Sequence, residues 1–276
     1  MRLRRCHLHR GVCRLPFCLT AVATSAELSE AIAANAERID IILSNNIEVP
    51  VASLSQYGQT PGSGEYKLGG DNTTSITIDL NGYTLTLTTS YMTAIGAKND
   101  DATIIIKNGS MNGIGNKYTT WNINDLMFAN CNYYFEDVVF NKEVALTNTG
   151  KTTTMKNVTI NGTGDYYALW IQAEGQNVVI DGLTVNTPGR GIKIDEQYVP
   201  TGNLAKVTLN VSNAKFTTAK KAAIMVKSAA GADIALANVN ISNVTADTVN
   251  AVWNDADASA SFDKITVTGG TLIQEQ

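Results

Sequence analysis

The sequence predicts an all-β chain wound as a right-handed parallel β-helix, a solenoid of about eight to nine coils with a short capping helix at its start. Three observations predict it. From Ile39 onward, apolar residues alternate with polar ones at period two, the pattern of half-buried strands. A strand–turn–strand motif recurs at near-constant spacing, with Gly, Asn or Asp at its turn. Charged residues make up only 17% of the chain while Asn, Thr, Gly and Ala abound, which suits strands and tight turns and starves a helical bundle of its exposed Glu, Lys and Arg.

In chain order, residues 1–23 form a separate segment, and 24–276 form a single domain. The segment reads MRLRRCHLHRGVCRLPFCLTAVA: a basic stretch, then an apolar run ending Ala21-Val22-Ala23. It has the order of a secretory signal peptide, or of extraneous residues ahead of the true start. It also holds both histidines, His7 and His9, and Cys6, Cys13 and Cys18 of the four cysteines. Their spacing fits no standard zinc pattern, so no metal site is expected. Cys131 is then alone in the body, and after a strand-like run it is expected to be buried and inert.

Next comes SAELSEAIAAN, a helix over about 26–36 with Ser25 as cap, Leu28 and Ile32 on one face and Asn35 as stop. The first strand begins at Ile39-Asp40-Ile41-Ile42-Leu43. The repeat motif then appears around Gly82, Asn108, Asp137, Asn157, Gly182, Asn213, Asn238 and Lys264, at intervals of 26, 29, 20, 25, 31, 25 and 26 residues. All but Lys264 are residue types that enter the left-handed backbone region at least cost. Stacked asparagines at such turns are expected to form amide ladders. A second strand set follows each turn: AIG (94–96), LMFA (126–129), VAL (144–146), ALWI (168–171), GIKI (191–194), AIMV (223–226) and AVWN (251–254). Leu169, Ile192, Ile224 and Val252 are predicted to form one inward layer, with Ile171, Ile194 and Val226 in the next. The Gly-rich TPGSGEYKLGG (60–70) lacks a phosphate-loop ending and reads as an insertion in the first coil.

On these residues, roughly 26–276, the chain resembles the pectate-lyase-like right-handed β-helix superfamily, in particular small secreted β-helix proteins of gut bacteria. The helix followed by IDIILSNNIEV resembles their cap and first strand, and SITIDLNGYTLTL resembles their first full coil. The resemblance implies fold and export. It does not imply one chemistry, because a fold hosts many functions.

Composition excludes several function classes. Without the first 23 residues, 16 basic groups face 25 acidic ones, a net of −9, so the body repels phosphate backbones and no nucleic-acid partner is expected. The body has no histidine, which excludes Ser-His-Asp and Cys-His catalysis. No stretch has the apolar length to span a bilayer. The Asn-x-Ser/Thr triplets follow from composition and predict no glycosylation.

Two candidate sites remain. Pectate lyases of the resembled superfamily use calcium held by acids and an arginine or lysine base; the matching local residues are Arg190, Lys193 and Asp195, with Glu196 and Asp181 nearby. Without that chemistry these are solvated charges worth under about 1 kcal/mol as pairs. The second candidate is an outward row, Met127, Ala145, Trp170, Lys193, Met225 and Trp253. It reads as an exposed sugar-stacking stripe, with Tyr166, Tyr167, Asp165, Asn254 and Asp255 bonding hydroxyls, or as a second core beneath inserted loops. The expected function is therefore a secreted or cell-surface, non-enzymatic β-helix that binds polysaccharide or a partner surface without a cofactor. The ligand-binding residues would be Trp170, Lys193, Met225, Trp253, Tyr167 and Asp255. The alternatives are a calcium-dependent polysaccharide lyase and a structural or phage-fibre-type module.

Overall fold

The computed structural model describes residues 18–50, 56–60, 63–89, 93–115, 126–164, 167–171, 175–195, 207–217, 223–227, 237–246, 252–254 and 264–268. Period-two sequences become strands almost throughout, and they collect in two sheets. The first sheet runs Cys18–Val22, Arg38–Leu43, Ser75–Asp79, Thr103–Gly115, Asn132–Phe140, Thr152–Asn161, Asn177–Asn186, Val207–Thr217, Ala237–Ala246 and Lys264–Thr268, with Thr84–Thr89 laid beside the far half of Thr103–Gly115 and Ile47–Pro50 beside Thr84–Thr89. The second runs Gln56–Thr60, Ser63–Leu68, Thr93–Ala97, Leu126–Ala129, Val144–Thr147, Tyr167–Ile171, Arg190–Asp195, Ile224–Lys227 and Val252–Asn254.

From Ser63 onward the chain visits the two sheets alternately, each visit one strand beyond the last. Neighbouring strands are parallel; among the described residues the exception is the hairpin of Gln56–Thr60 on Ser63–Leu68. The Gly-rich stretch expected as an insertion at 60–70 instead supplies a strand of the second sheet, Ser63–Leu68, parallel to Thr93–Ala97, and Gln56–Thr60 is the edge strand added beside it. The arrangement is β-helix-like and all-β, with one short helix among the described residues.

Inward side chains from both sheets meet in one continuous apolar core. Leu169, Ile192, Ile224 and Val252 pair in register, as do Ile171, Ile194 and Val226; of these, Leu169, Ile171, Ile192, Ile194 and Ile224 are fully buried, while the side chains of Val226 and Val252 lie outside the description. Around Phe128 the core is aromatic: Tyr133, Phe135 and Phe140 meet its ring edge-on at 4.9–6.0 Å, a geometry rings favour over a face-to-face stack. The Tyr133 hydroxyl reaches the carbonyls of Ile95 (2.5 Å) and Ala129 (2.6 Å), so its polar tip is satisfied inside.

Each long strand of the first sheet bends at one left-handed residue: Asn108 (φ 59°), Asp137 (55°), Asn157 (52°), Gly182 (80°), Asn213 (53°) and Asn243 (51°). The earliest turn uses two, Asn81 and Gly82, closed by Tyr83 N–H donating to Leu80 O. The expected turn at Asn238 is corrected to Asn243. Asn238 pairs with Thr208 within a strand, and Ser242 pairs with Ser212, just ahead of the Asn213 turn. Residues 237–246, ANVNISNVTA, contain Asn238 and Asn243, each followed by valine, so the motif fits at two phases. Lys264 pairs with Asn238 and is a strand residue, which removes the exception; the same register carried on reaches Gly269, outside the described residues.

Two amide ladders tie the passes together. At the turns, Asn108 Nδ2 donates to Asp79 Oδ1 (3.1 Å), Asn213 Nδ2 to Asp181 Oδ1 (2.7 Å) and Asn243 Nδ2 to Asn213 Oδ1 (2.6 Å). Beyond the turns, Asn141 donates to Asn112 (2.8 Å), Asn161 to Asn141 (3.0 Å) and Asn186 to Asn161 (2.9 Å). The expected ladder thus exists, and its longer run sits after the turn.

The N-terminal end differs from expectation in two ways. The helix is Ser25–Ile32, shorter than 26–36, and its cap is Thr24 rather than Ser25. Thr24 Oγ1 accepts from Glu27 N–H, and Glu27 Oε2 accepts from the N–H of Ala23 (2.7 Å) and Thr24, a reciprocal capping box that holds the Glu27 carboxyl below its usual range. The helix stops early because the chain must turn into the sheet: Ala36 is buried and its carbonyl accepts from Thr73 Oγ1. The folded body also begins before residue 24. Cys18–Val22 pairs with Arg38–Leu43, Val22 is fully buried, and Val22 O accepts from Ser44 N–H. Leu28 and Ile32 are buried on the helix face laid against these first strands.

Asn157→Ala forces a Cβ-bearing residue without a local amide into the left-handed region and will cost about 1–2 kcal/mol in urea melts, whereas Asn157→Gly will cost less. Gly182→Ala will cost at least as much, since its Cβ would lie 2.7 Å from Asn157 Oδ1. A chain beginning at Thr24 loses the strand that buries Val22 and will be less stable by about 2–3 kcal/mol than one beginning at Cys18, read as a lower thermal midpoint.

Candidate functional site

The outward row on the second sheet exists in register: Met127 pairs with Ala145, Ala145 with Trp170, Trp170 with Lys193, Lys193 with Met225, and Met225 with Trp253. It is not a solvent-facing stripe. Trp170 is 2% exposed, Lys193 0% and Met127 8%. Met127, Ala129, Ala145, Tyr167 and Trp170 form a second apolar cluster on the outer side of the sheet. Of the two readings of the row, exposed stripe or second core, the burial of Trp170 and Lys193 fits the second, and Tyr167, expected beside the row as a hydroxyl-bonding residue, is buried with them. The side chains of Met225 and Trp253, and residues Asp165, Tyr166 and Asp255, lie outside the described residues.

Within the layer, Tyr167 and Trp170 pack ring on ring, centroids 4.8 Å apart and tilted by 51°. Lys193 Nζ stands 4.9 Å from the Trp170 ring centroid, where the ring's negative face compensates part of the ammonium's lost hydration. Arg190 begins the same strand, opposite Tyr167, and is itself 8% exposed. Between them, Gly191 is required by packing: a Cβ there would collide with Ala223 O and the Phe216 ring.

Of the acids expected near Arg190, Asp181 is the one whose side chain is described, and it is carried by the other sheet. Asp181 lies on the first sheet, where its carboxylate accepts from Asn213 Nδ2 and Ser212 Oγ; these two bonds hold it below its usual pKa. The side chain of Asp195 and all of Glu196 fall outside the described residues. Among the described residues no group of three or more His, Cys, Asp or Glu side chains is placed to hold a metal ion.

One carboxylate of this region escaped the sequence reading. Glu143, 5% exposed, accepts from the backbone N–H of Thr163 (2.6 Å) and of Gly164. Lys142 Nζ reaches Thr163 Oγ1 (3.3 Å), and Thr187 Oγ1 reaches Gly164 O (3.4 Å). Glu143 thus pins the 162–164 segment; a lone acid ahead of a VAL strand carries no signal of that role. At the opposite corner Asn148 donates to Cys131 O and Thr153 Oγ1, and Gln176 donates to Leu146 O, all buried. Beside Asn148, Cys131 is buried as expected, and burial pushes its thiol up to about 11, so it holds little nucleophilic thiolate at neutral pH.

No family model matches the chain, and none of the curated proteins or solved structures compared with it matches either. No helix among the described residues is long and apolar enough to cross a membrane.

Trp170→Ala will cost about 3–5 kcal/mol of unfolding free energy, the range for emptying a buried aromatic site. A substitution on an open stripe would cost within about 0.5 kcal/mol, so denaturant melts of the two proteins separate the buried layer from the stripe.

Proposed function

We propose that the chain is a secreted or cell-surface protein of the pectate-lyase-like right-handed β-helix superfamily, a single solenoid of about eight to nine coils, which binds a polysaccharide or a partner surface and does not catalyse. The alternation of the chain between two parallel sheets, with one left-handed residue per long strand, supports the solenoid reading. Localisation rests on the resemblance of the sequence to exported β-helix proteins.

One observation carries the binding reading. Arg190 and Lys193, the cations that lyase chemistry in this fold would draw upon, are 8% and 0% exposed. What faces solvent on the first sheet is a series of in-register rows of Thr, Asn and paired charges around the half-buried Tyr134. A base must reach its substrate proton within hydrogen-bond distance. An extended repeat surface instead contacts a polymer over several repeats at once.

A panel of neutral and acidic polysaccharides, titrated with the full chain with and without calcium, tests this. Saturable binding without release of unsaturated sugar ends, weakened at least fivefold by Tyr134→Ala, is the expected result. Calcium-dependent appearance of unsaturated ends would establish the lyase instead. Binding to none of the polysaccharides would reject them as ligands.

A further inference from the structure

The first sheet's outer face carries a charge pattern that is complementary to itself. Just ahead of the left-handed turns, five successive strands place Asp79, Lys107, Glu136, Lys156 and Asp181 in register. Their signs alternate. Two pairs close within the chain, Lys107 Nζ to Asp79 at 3.6 Å and Lys156 Nζ to Glu136 at 3.0 Å. All five point away from the core, since the residues preceding them, Ile78, Ile106, Phe135, Met155 and Ile180, are buried. They also stay open to solvent, with the Lys156 side chain 49% exposed and Glu136 30%. Two residues upstream lies a parallel row, Thr77, Ile105, Tyr134, Thr154 and Val179, also partly exposed.

We propose that this face is where a second copy of the chain docks, about a two-fold axis that runs along the strands midway between Glu136 and Lys156. The inference rests on the reading above that the protein works by surface binding; of the two occupants named there it takes the partner surface, a second copy, which covers Tyr134 and so competes with polysaccharide for this face. Such an axis keeps each residue's position along the strand and reverses the order of strands. Glu136 then faces Lys156 of the other copy, and Lys107 faces Asp181, each pair occurring twice. Tyr134 faces Thr154 and Ile105 faces Val179, so apolar groups meet apolar or hydroxyl groups and no like charges oppose. An isologous interface requires this reciprocity of one patch with itself.

The charge pairs lie within about 7 Å of the axis at a strand spacing of about 4.8 Å. The crossing of about 30° usual for aligned sheets therefore displaces them by about 4 Å or less. Eight strands at about 4.8 Å by five residues at about 3.3 Å make a face of roughly 600 Å² per copy. That is near the lower end for a specific interface.

Sedimentation equilibrium of the full chain over a concentration series tests the proposal. Three proteins are compared: wild type, an acidic-face variant (Lys107→Glu with Lys156→Glu) and a basic-face variant (Glu136→Lys with Asp181→Lys). Wild type should dimerise, and weaken in high salt. Each variant alone should dissociate at least tenfold more readily, and an equimolar mixture should recover a 1:1 heterodimer at low salt. Should either double variant fail to fold by circular dichroism, Thr154→Arg, which leaves the charge row intact, should also give a monomer. A wild type that stays monomeric at the highest concentration, or variants that dimerise as well as it does, would overturn the proposal. A monomer that still binds polysaccharide would sink the dimer and leave the binding function standing.

Discussion

Parallel pairing of each pass with the one before it is the constraint on which the rest of this molecule depends. A parallel ladder cannot be closed by a tight hairpin; the chain must leave the sheet, travel round and return one strand further on. Here it does so by way of the second sheet, and it bends at each long strand of the first through one residue in the left-handed region. That conformation costs a β-branched or bulky residue dearly but costs Asn, Asp and Gly little. Because every pass repeats the manoeuvre at the same rung, side chains of one kind fall into rows. The amide ladders from Asn112 to Asn186 and from Asn213 to Asn243 follow from that alignment.

The rows explain why residues that resemble a functional constellation along the chain are something else in space. Arg190, Lys193 and Asp181 lie within 13 positions of one another, yet the chain passes from one sheet to the other between Asp181 and Arg190. Asp181 belongs to a charge row on the first sheet's outer surface. Arg190 and Lys193 belong to a buried layer on the second, where Lys193 stands over the Trp170 ring. Burying an ammonium is costly without compensation, so its site beside an aromatic face is part of how this layer is held.

Much of the architecture was legible because it is written locally. Period-two alternation placed the strands, and φ-permissive residues placed the turns at 82, 108, 137, 157, 182 and 213. The row from Met127 to Trp253 could be assembled by stacking those repeats. Local signals failed where two readings shared one pattern. Asn238 and Asn243 both precede a Val-x-apolar stretch, and only pairing with Thr208 and Ser212 selects between them. Leu19 to Val22 has the local pattern of the apolar end of a leader, and nothing within it announces the pairing with Asp40 to Leu43.

Strand periodicity, turn chemistry and, through them, most of the sharing of rungs are encoded in the amino-acid order, because they depend on backbone preferences within a few residues. Which outward rows stay wet was settled by packing in the folded chain. Alternation says that Trp170 and Lys156 both point away from the core; it says nothing of what packs over them. Trp170 is covered and Lys156 is open. That difference arises from contacts between residues far apart in the chain, which no local pattern encodes.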